Sequence, residues 1–285
     1  SNNKTTVIIQ EDTSITATFG LSFANENIEK NIRNKINKPE GLILLNDVKN
    51  IEKLTIKNTN ISSLAGLEYL PNLTSVSFEN CTIENFNSLA KKWNSLEKLS
   101  LVDTTLNSFA GIGKVENLVN LRIGECSIAN WDELETLKKL THLQISNTVI
   151  DNLEFLTSLT KLIEVKLFSN NLNTLAPLNN INTLEEIYTI DNNLSKLDDL
   201  SQLNNLTVLY IEQCGLEDIT AIKDMPTVEW FTLSNNKISD ISPFSELITK
   251  DNLKLKWVYL EGNTLNDSAN EIISQMESQD IYVNR

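Results

Sequence analysis

Apolar residues recur along this chain with one phase and one period. The phrase Leu140-x-x-Leu143-x-Ile145, followed by Thr148, Ile150, Leu153, Leu156 and Leu159, has counterparts starting at Ile51, Leu73, Leu96, Leu118, Leu162, Leu184, Leu206, Val228 and Leu255. The interval between starts is 22 residues, except for 23 after Leu73 and 27 after Val228. Within each unit the fourth and sixth positions are apolar, as in Leu54/Ile56, Val76/Phe78, Leu99/Leu101 and Val258/Leu260. Such period-two alternation predicts a short strand with one face buried. Only Thr189 places a polar residue at an inward sixth position. Past the eleventh position the apolar spacing becomes three, as in Leu64, Leu67, Leu70 and in Leu197, Leu200, Leu203. A spacing of three fits 3-10 turns better than an α-helix, whose faces repeat every ~3.6 residues.

A fixed period in this range with an L-x-x-L-x-L phrase is the signature of a leucine-rich-repeat solenoid. The predicted fold is therefore an α/β solenoid, with parallel strands on a concave face and 3-10 or irregular segments on a convex one. Ten repeats fill residues 51–265. The terminal repeats need covers, because they lack a neighbour on one side. Residues 1–50 read as an N-terminal cap plus a partial repeat. Asn25 can cap a helix over about 25–37, with Ile28, Ile32 and Ile36 on one face and Pro39 and Gly41 ending it. Leu42, Leu45 and Val48 fall in the period-three frame of a partial repeat. Residues 4–19 read as a strand or strand pair beside this cap. Residues 266–285 read as a C-terminal cap: a helix over 268–278 with Ile272, Ile273 and Met276 inward, then a strand carrying Ile281 and Val283. The extra residues from Ser245 to Asn252 predict one convex turn lengthened into a helical loop, and the extra residue near Trp93 a smaller insertion. Trp131 falls at a core position.

The ninth position reads Thr59, Cys81, Thr104, Cys126, Thr148, Asn170, Asn192, Cys214, Asn236 and Asn263. A small polar side chain here points inward and bonds the backbone turn beside the strand. All three cysteines occupy this ladder. Cys81 and Cys126 stand two strands apart, roughly 9–10 Å, beyond the reach of a disulfide. They read as buried thiols.

Chemistry is sparse. The formal charge is −14, which argues against a nucleic-acid partner. The single histidine, His142, sits at an outward position, so no histidine triad or histidine zinc cluster can be assembled. There is no Gly-rich phosphate loop, and the carboxylate pairs Asp198-Asp199 and Glu185-Glu186 are adjacent residues that point apart and read as solvated. No catalytic residue, metal site or cofactor is expected. No apolar run approaches the ~20 residues of a membrane span. No signal sequence is visible, and the polar opening Ser1-Asn2-Asn3-Lys4 reads as a mature or trimmed start.

The outward strand positions, the third, fifth and seventh, change character along the array. From Lys53, Thr55 and Lys57 to His142, Gln144 and Ser146 they are polar and mildly basic. From Glu164, Lys166 and Phe168 onward they turn aromatic and acidic. The candidate ligand-binding residues are Phe168, Tyr188, Ile190, Tyr210, Glu212, Trp230, Trp257 and Tyr259, rimmed by Glu186 and Glu261. Tyr and Trp bury large areas at low rotamer cost, and clustered exposed aromatics mark interfaces. The acids favour a partner with basic residues near its apolar anchor. A cross-strand aromatic ladder that stabilises the sheet, or partial cover by the C-terminal cap, is the alternative.

Segments such as Leu233-Ser-Asn-Asn-Lys-Ile-Ser-Asp-Ile-Ser-Pro-Phe244 and Leu167-Phe-Ser-Asn-Asn-Leu-Asn-Thr-Leu-Ala-Pro-Leu178 are similar to the repeats of the bacterial internalin family. Phe23-Ala-Asn-Glu-Asn-Ile28 with Ile32 resembles that family's helical cap, and the resemblance covers residues 20–265. It implies a secreted or surface-displayed protein of a Gram-positive bacterium that binds a host protein on its concave face. Thr and Cys in place of Asn along much of the ladder depart from that pattern. The expected function is non-enzymatic recognition of a partner protein by a monomer that is extracellular or at the cell surface. The alternatives are a cytoplasmic regulatory scaffold of the phosphatase-regulating SDS22 type, and a glycan-binding surface module.

Overall fold

The computed structural model describes residues 20–285 apart from 151 and 199, so the strand or strand pair expected over 4–19 lies outside the described residues. The chain enters through helix α1 (Glu26–Ile36). The Asn25 side chain accepts from the backbone N–H groups of Asn27 and Ile28, and Ile28 and Ile32 are buried. Asn37 in the left-handed conformation ends the helix. A single turn, α2 (Leu45–Val48), follows. Here the expected partial repeat is corrected. Leu42 and Leu45 are each 56% exposed, while Ile43 and Val48 are buried. The reason is local pairing: Ile43 bridges antiparallel to Leu21, which turns Ile43 inward and Leu42 out.

Thirteen strands among the described residues form one sheet. Ten stand one per repeat on the concave side: β1 (Lys53–Ile61), β2 (Ser75–Ile83), β3 (Lys98–Val102), β5 (Asn120–Gly124), β7 (His142–Ser146), β8 (Glu164–Phe168), β9 (Glu186–Ile190), β10 (Val208–Glu212), β11 (Trp230–Thr232) and β12 (Trp257–Tyr259). All pair parallel and in register, position for position. Two short strands, β4 (Thr105–Leu106) and β6 (Ser127–Ile128), continue the pairing beyond β2, and β13 (Tyr282–Asn284) closes the far end against β12.

The convex side carries 3-10 segments at Leu67–Tyr69, Ile112–Val115, Asp132–Thr136, Glu154–Ser158, Ala176–Asn180 and Thr220–Asp224, as a spacing of three favours, whereas the equally spaced Leu197, Leu200 and Leu203 carry none among the described residues. The long interval after Val228 holds helix α3 (Ser242–Leu247), which starts earlier than the extra residues suggest. Pro243 presets its first turn, and Asp240 accepts from the backbone and hydroxyl of Ser242. Helix α4 (Ala269–Glu277) buries Ile272, Ile273 and Met276.

Two tryptophans differ from expectation. Trp93 is fully buried, because the extra residue in its repeat carries it into the slot that Leu70 and Val115 fill elsewhere. Trp131 is only partly buried, and joins a row of rings (Phe86, Phe109, Trp131, Phe155) with centroids 5.4–6.5 Å apart.

The turn that ends each strand is uniform. The eighth residue of every repeat has positive φ: Asn58, Asn80, Asp103, Glu125, Asn147, Ser169, Asp191, Gln213, Asn235 and Gly262. That left-handed step, which Asn, Asp and Gly tolerate best, swings the ninth side chain into the core. There it binds the repeat before it. Asn170 Nδ2 donates to Ile145 O (3.0 Å), Asn192 Nδ2 to Leu167 O (2.9 Å) and Asn236 Nδ2 to Ile211 O (2.8 Å). Asn236 Oδ1 also accepts from the N–H groups of Cys214 and Leu216. Cys81 and Cys126 reach the same carbonyl row, through weak thiol donors. In the first four repeats the backbone does more of this work, since the tenth and eleventh positions pair directly through β1, β2, β4 and β6. The inward Thr189 is accommodated by the same ladder, its hydroxyl accepting from Asn192 Nδ2 at 2.8 Å.

The three cysteines are unpaired and buried, and burial pushes each thiol up from its ordinary value. Folded protein is therefore expected to be silent to a thiol reagent at neutral pH, and to release three equivalents on unfolding; reaction of the native protein would contradict the burial. Asn236→Ala, which strands buried N–H groups, should lower the unfolding free energy by about 2–4 kcal/mol, against about 1 kcal/mol for Cys126→Ala. Urea unfolding of the two variants compares them; equal losses would mean that the ladder acts by packing alone.

Candidate binding surface

Parallel in-register pairing lines up the outward residues in rows. The third-position row runs Glu164, Glu186, Val208, Trp230, Trp257 and Tyr282; the fifth runs Lys166, Tyr188, Tyr210, Thr232 and Tyr259. Phe168 and Ile190 are register partners in the seventh row. The predicted residues thus share one face, but as two ring clusters. Tyr188 and Tyr210 lie 5.8 Å apart. Trp230 contacts both Trp257 and Tyr259 at 5.4 Å, nearly parallel to the latter. Tyr282 extends this second cluster, 5.8 Å from Tyr259 and 53% exposed. It was missed because the last strand was read from Ile281 and Val283 alone, although alternation places Tyr282 outward. Strand β13 lengthens the sheet beside β12, and Trp230 and Trp257 each remain 36% exposed.

Between the clusters lies a depression lined by Tyr210, Glu212, Trp230, Thr232, Ser234, Asn235, Tyr259 and Glu261. Small Thr232 stands between the larger Tyr210 and Tyr259, buried and bonded by the Trp230 indole, which leaves the partly exposed Ser234 as the open floor. Internal bonds fix its walls. The Tyr210 hydroxyl donates to Glu212, Asn235 Nδ2 to the other oxygen of Glu212 (2.9 Å), and Trp230 Nε1 to Thr232 Oγ1 (2.8 Å). Tyr188 donates to Glu186 at 2.7 Å. Glu186 is thus a hydrogen-bond acceptor, in contrast to the solvated carboxylate expected. Asp198 also departs from expectation: on the convex side its Oδ2 accepts from Thr174 Oγ1 and Leu175 N–H. Asp199 lies outside the described residues.

On the opposite half, Lys57 pairs with Glu79, and His142 is exposed with Nδ1 2.8 Å from the Thr141 hydroxyl. Among the described residues, no group of three or more His, Cys, Asp or Glu side chains could hold a metal ion, and no helix is long and apolar enough to cross a membrane.

The fold is that of a leucine-rich-repeat solenoid. It is similar to an internalin (inlF) from Listeria monocytogenes, with 20% identity over 92% of this chain and 88% of the other at a TM-score of 0.56. It is also similar to internalin C2 of the same organism (22% identity, 86% and 94% covered, TM-score 0.58) and to its InlP (18%, 76% and 65%, 0.61). At these identities the likeness establishes the fold. No protein-family model matches the chain, and no curated protein matches it in sequence.

Burial pushes the Tyr210 phenol up from 10.0 to about 12, and the Glu212 carboxylate that accepts its proton adds to the shift. Tyr188 is raised for the same reasons, with Glu186 as the acceptor. The folded state thus holds protons that the unfolded chain has released above pH 10, so stability is full below pH 10 and falls as pH rises through about 12. A phenolate absorbance titration should show two of the five tyrosines ionising late, and Glu212→Gln should bring one of them down; five superimposed transitions near 10 would refute the geometry.

Proposed function

We propose that this chain is a non-enzymatic recognition module that captures a partner protein on the aromatic half of its concave face. The observation that carries this reading is the pair of partly exposed ring clusters, Tyr188 with Tyr210 and Trp230 with Trp257, Tyr259 and Tyr282, on one strand face. Aromatic side chains of this kind act as rigid anchors in interfaces. Phe168, Ile190 and Glu212 complete the surface. Residues 51–265 are the recognising array in this reading, with 1–50 and 266–285 as covers. The likeness to internalins supports a family relationship and a working place outside a bacterial cell, secreted or displayed on its surface, where a host surface protein is the natural partner. The chain acts as a monomer.

The test is retention of proteins from host-cell and bacterial extracts by wild type beside the Tyr210→Ala/Trp230→Ala variant. A protein held by wild type and lost by the variant is the expected result. Equal retention would move the site off the aromatic half, with the basic N-terminal half next in line. The two side chains are partly exposed, so the variant is expected to unfold within about 1 kcal/mol of wild type.

A further inference from the structure

This inference rests on the recognition reading above and names the chemistry that one part of the face selects. Several aromatic side chains of this molecule already have a cation. Lys166 lies 4.9 Å from the Tyr188 ring centre while its ammonium pairs with Glu164 at 2.6 Å. Lys256 lies 5.7 Å from the Trp257 ring while paired with Glu229 at 2.6 Å. Lys91 sits over Tyr69 at 4.3 Å. Two of these are complete triads of ring, carboxylate and cation.

The depression between Tyr210 and Tyr259 repeats the first two parts and lacks the third. It has three rings, Tyr210, Trp230 and Tyr259, and two carboxylates, Glu212 and Glu261, with no Lys or Arg in its lining. Both oxygens of Glu212 accept from neutral donors, and Glu261 is exposed with no ion pair among the described residues. The walls stand on β10 and β12, either side of β11, so their backbones are roughly 9–10 Å apart. That is wide enough for a planar group beside the Trp230 indole, above the small, partly exposed Ser234. We propose that this depression seats an arginine side chain of the partner protein, its guanidinium against the Trp230–Tyr259 ring pair and its N–H groups turned to Glu261 and Glu212. A guanidinium suits the place better than an ammonium. It is planar, stacks on aromatic faces and presents a fork of donors that one carboxylate can accept. Cation–π attraction and unneutralised negative charge act together on it.

The probe is Nα-acetyl-arginine amide, titrated into the full chain while the Trp230 indole N–H resonance is followed, with that resonance assigned from Trp230→Phe. The expected result is a saturable shift at millimolar probe, weakened by salt. The citrulline counterpart, of similar shape but uncharged, should bind at least about tenfold more weakly. Glu261→Gln, at an exposed position with no internal bond to lose, should weaken the arginine probe several-fold, and Glu212→Gln/Glu261→Gln about tenfold. No shift, or equal shifts from arginine and citrulline, or equal affinity in the double variant, would overturn the seat. If the seat fails while partner capture still depends on Tyr210 and Trp230, the recognition face stands without it. If both fail, the aromatic half is not the binding surface.

Discussion

Everything in this molecule depends on how the chain leaves its strands. A parallel strand that ends against its neighbours leaves backbone donors and acceptors facing the interior, and burial without partners would cost more than the leucines beside them return. The left-handed eighth residue and the inward ninth side chain meet that demand once per repeat. Because Asn236 bonds the carbonyl of Ile211 and the N–H groups of Cys214 and Leu216, each repeat completes the one before it. In the first four repeats, Thr and Cys leave part of this task to backbone pairing of the tenth and eleventh positions. Two chemistries therefore maintain one register.

Fixed register is what gives the concave face its character. When every strand aligns position for position, a residue's neighbours on the surface are the equivalents from adjacent repeats. A tyrosine at the fifth position of consecutive repeats makes a contact, as Tyr188 and Tyr210 do. A small residue there between two tyrosines leaves room for a neighbouring ring, as Thr232 does for the Trp230 indole that bonds it. The surface can thus be composed without touching the core, since inward positions four, six and nine carry the packing. The Lys–Glu pairs on the same face temper its charge at Tyr188 and Trp257, and leave it unbalanced at Glu261.

The period, the strands and most of the 3-10 segments were legible in the sequence, because each follows from spacing that recurs along the array, and both cap helices were legible from apolar residues confined to one helical face. Where the repeat frame was extended beyond the array or interrupted, it misled. Leu42 and Leu45 matched the spacing of three, yet an antiparallel bridge between Ile43 and Leu21 turned Leu42 out, and Leu45 opens the short helix α2, which buries Val48 instead. Trp93 read as part of a small insertion, and it fills a core slot as a leucine does elsewhere. The candidate surface residues were legible as outward, and their grouping was not. Whether two rings touch depends on rotamers and on the diagonal offset between strands, as with Trp230 and Tyr259. Tyr282 was within reach of simple alternation. The hydrogen bonds of Glu186, Glu212 and Asp198 were not, because they join side chains whose approach only the folded rows define.

The uniform direction of the ladder bears on how such a chain can change length over generations. Each unit carries the groups that its predecessor needs, so a whole unit can be copied or deleted, and the flanking units still meet compatible partners. A gain or loss of any other number of residues would put the wrong side chain at the left-handed step, unless it falls where register is not enforced. The 23-residue and 27-residue intervals obey this rule: their extra residues lie on the convex side, around Trp93 and helix α3, while the strands on either side keep their alignment. The convex side is thus the part of the molecule open to small insertions, and the concave face the part that diversifies only by substitution.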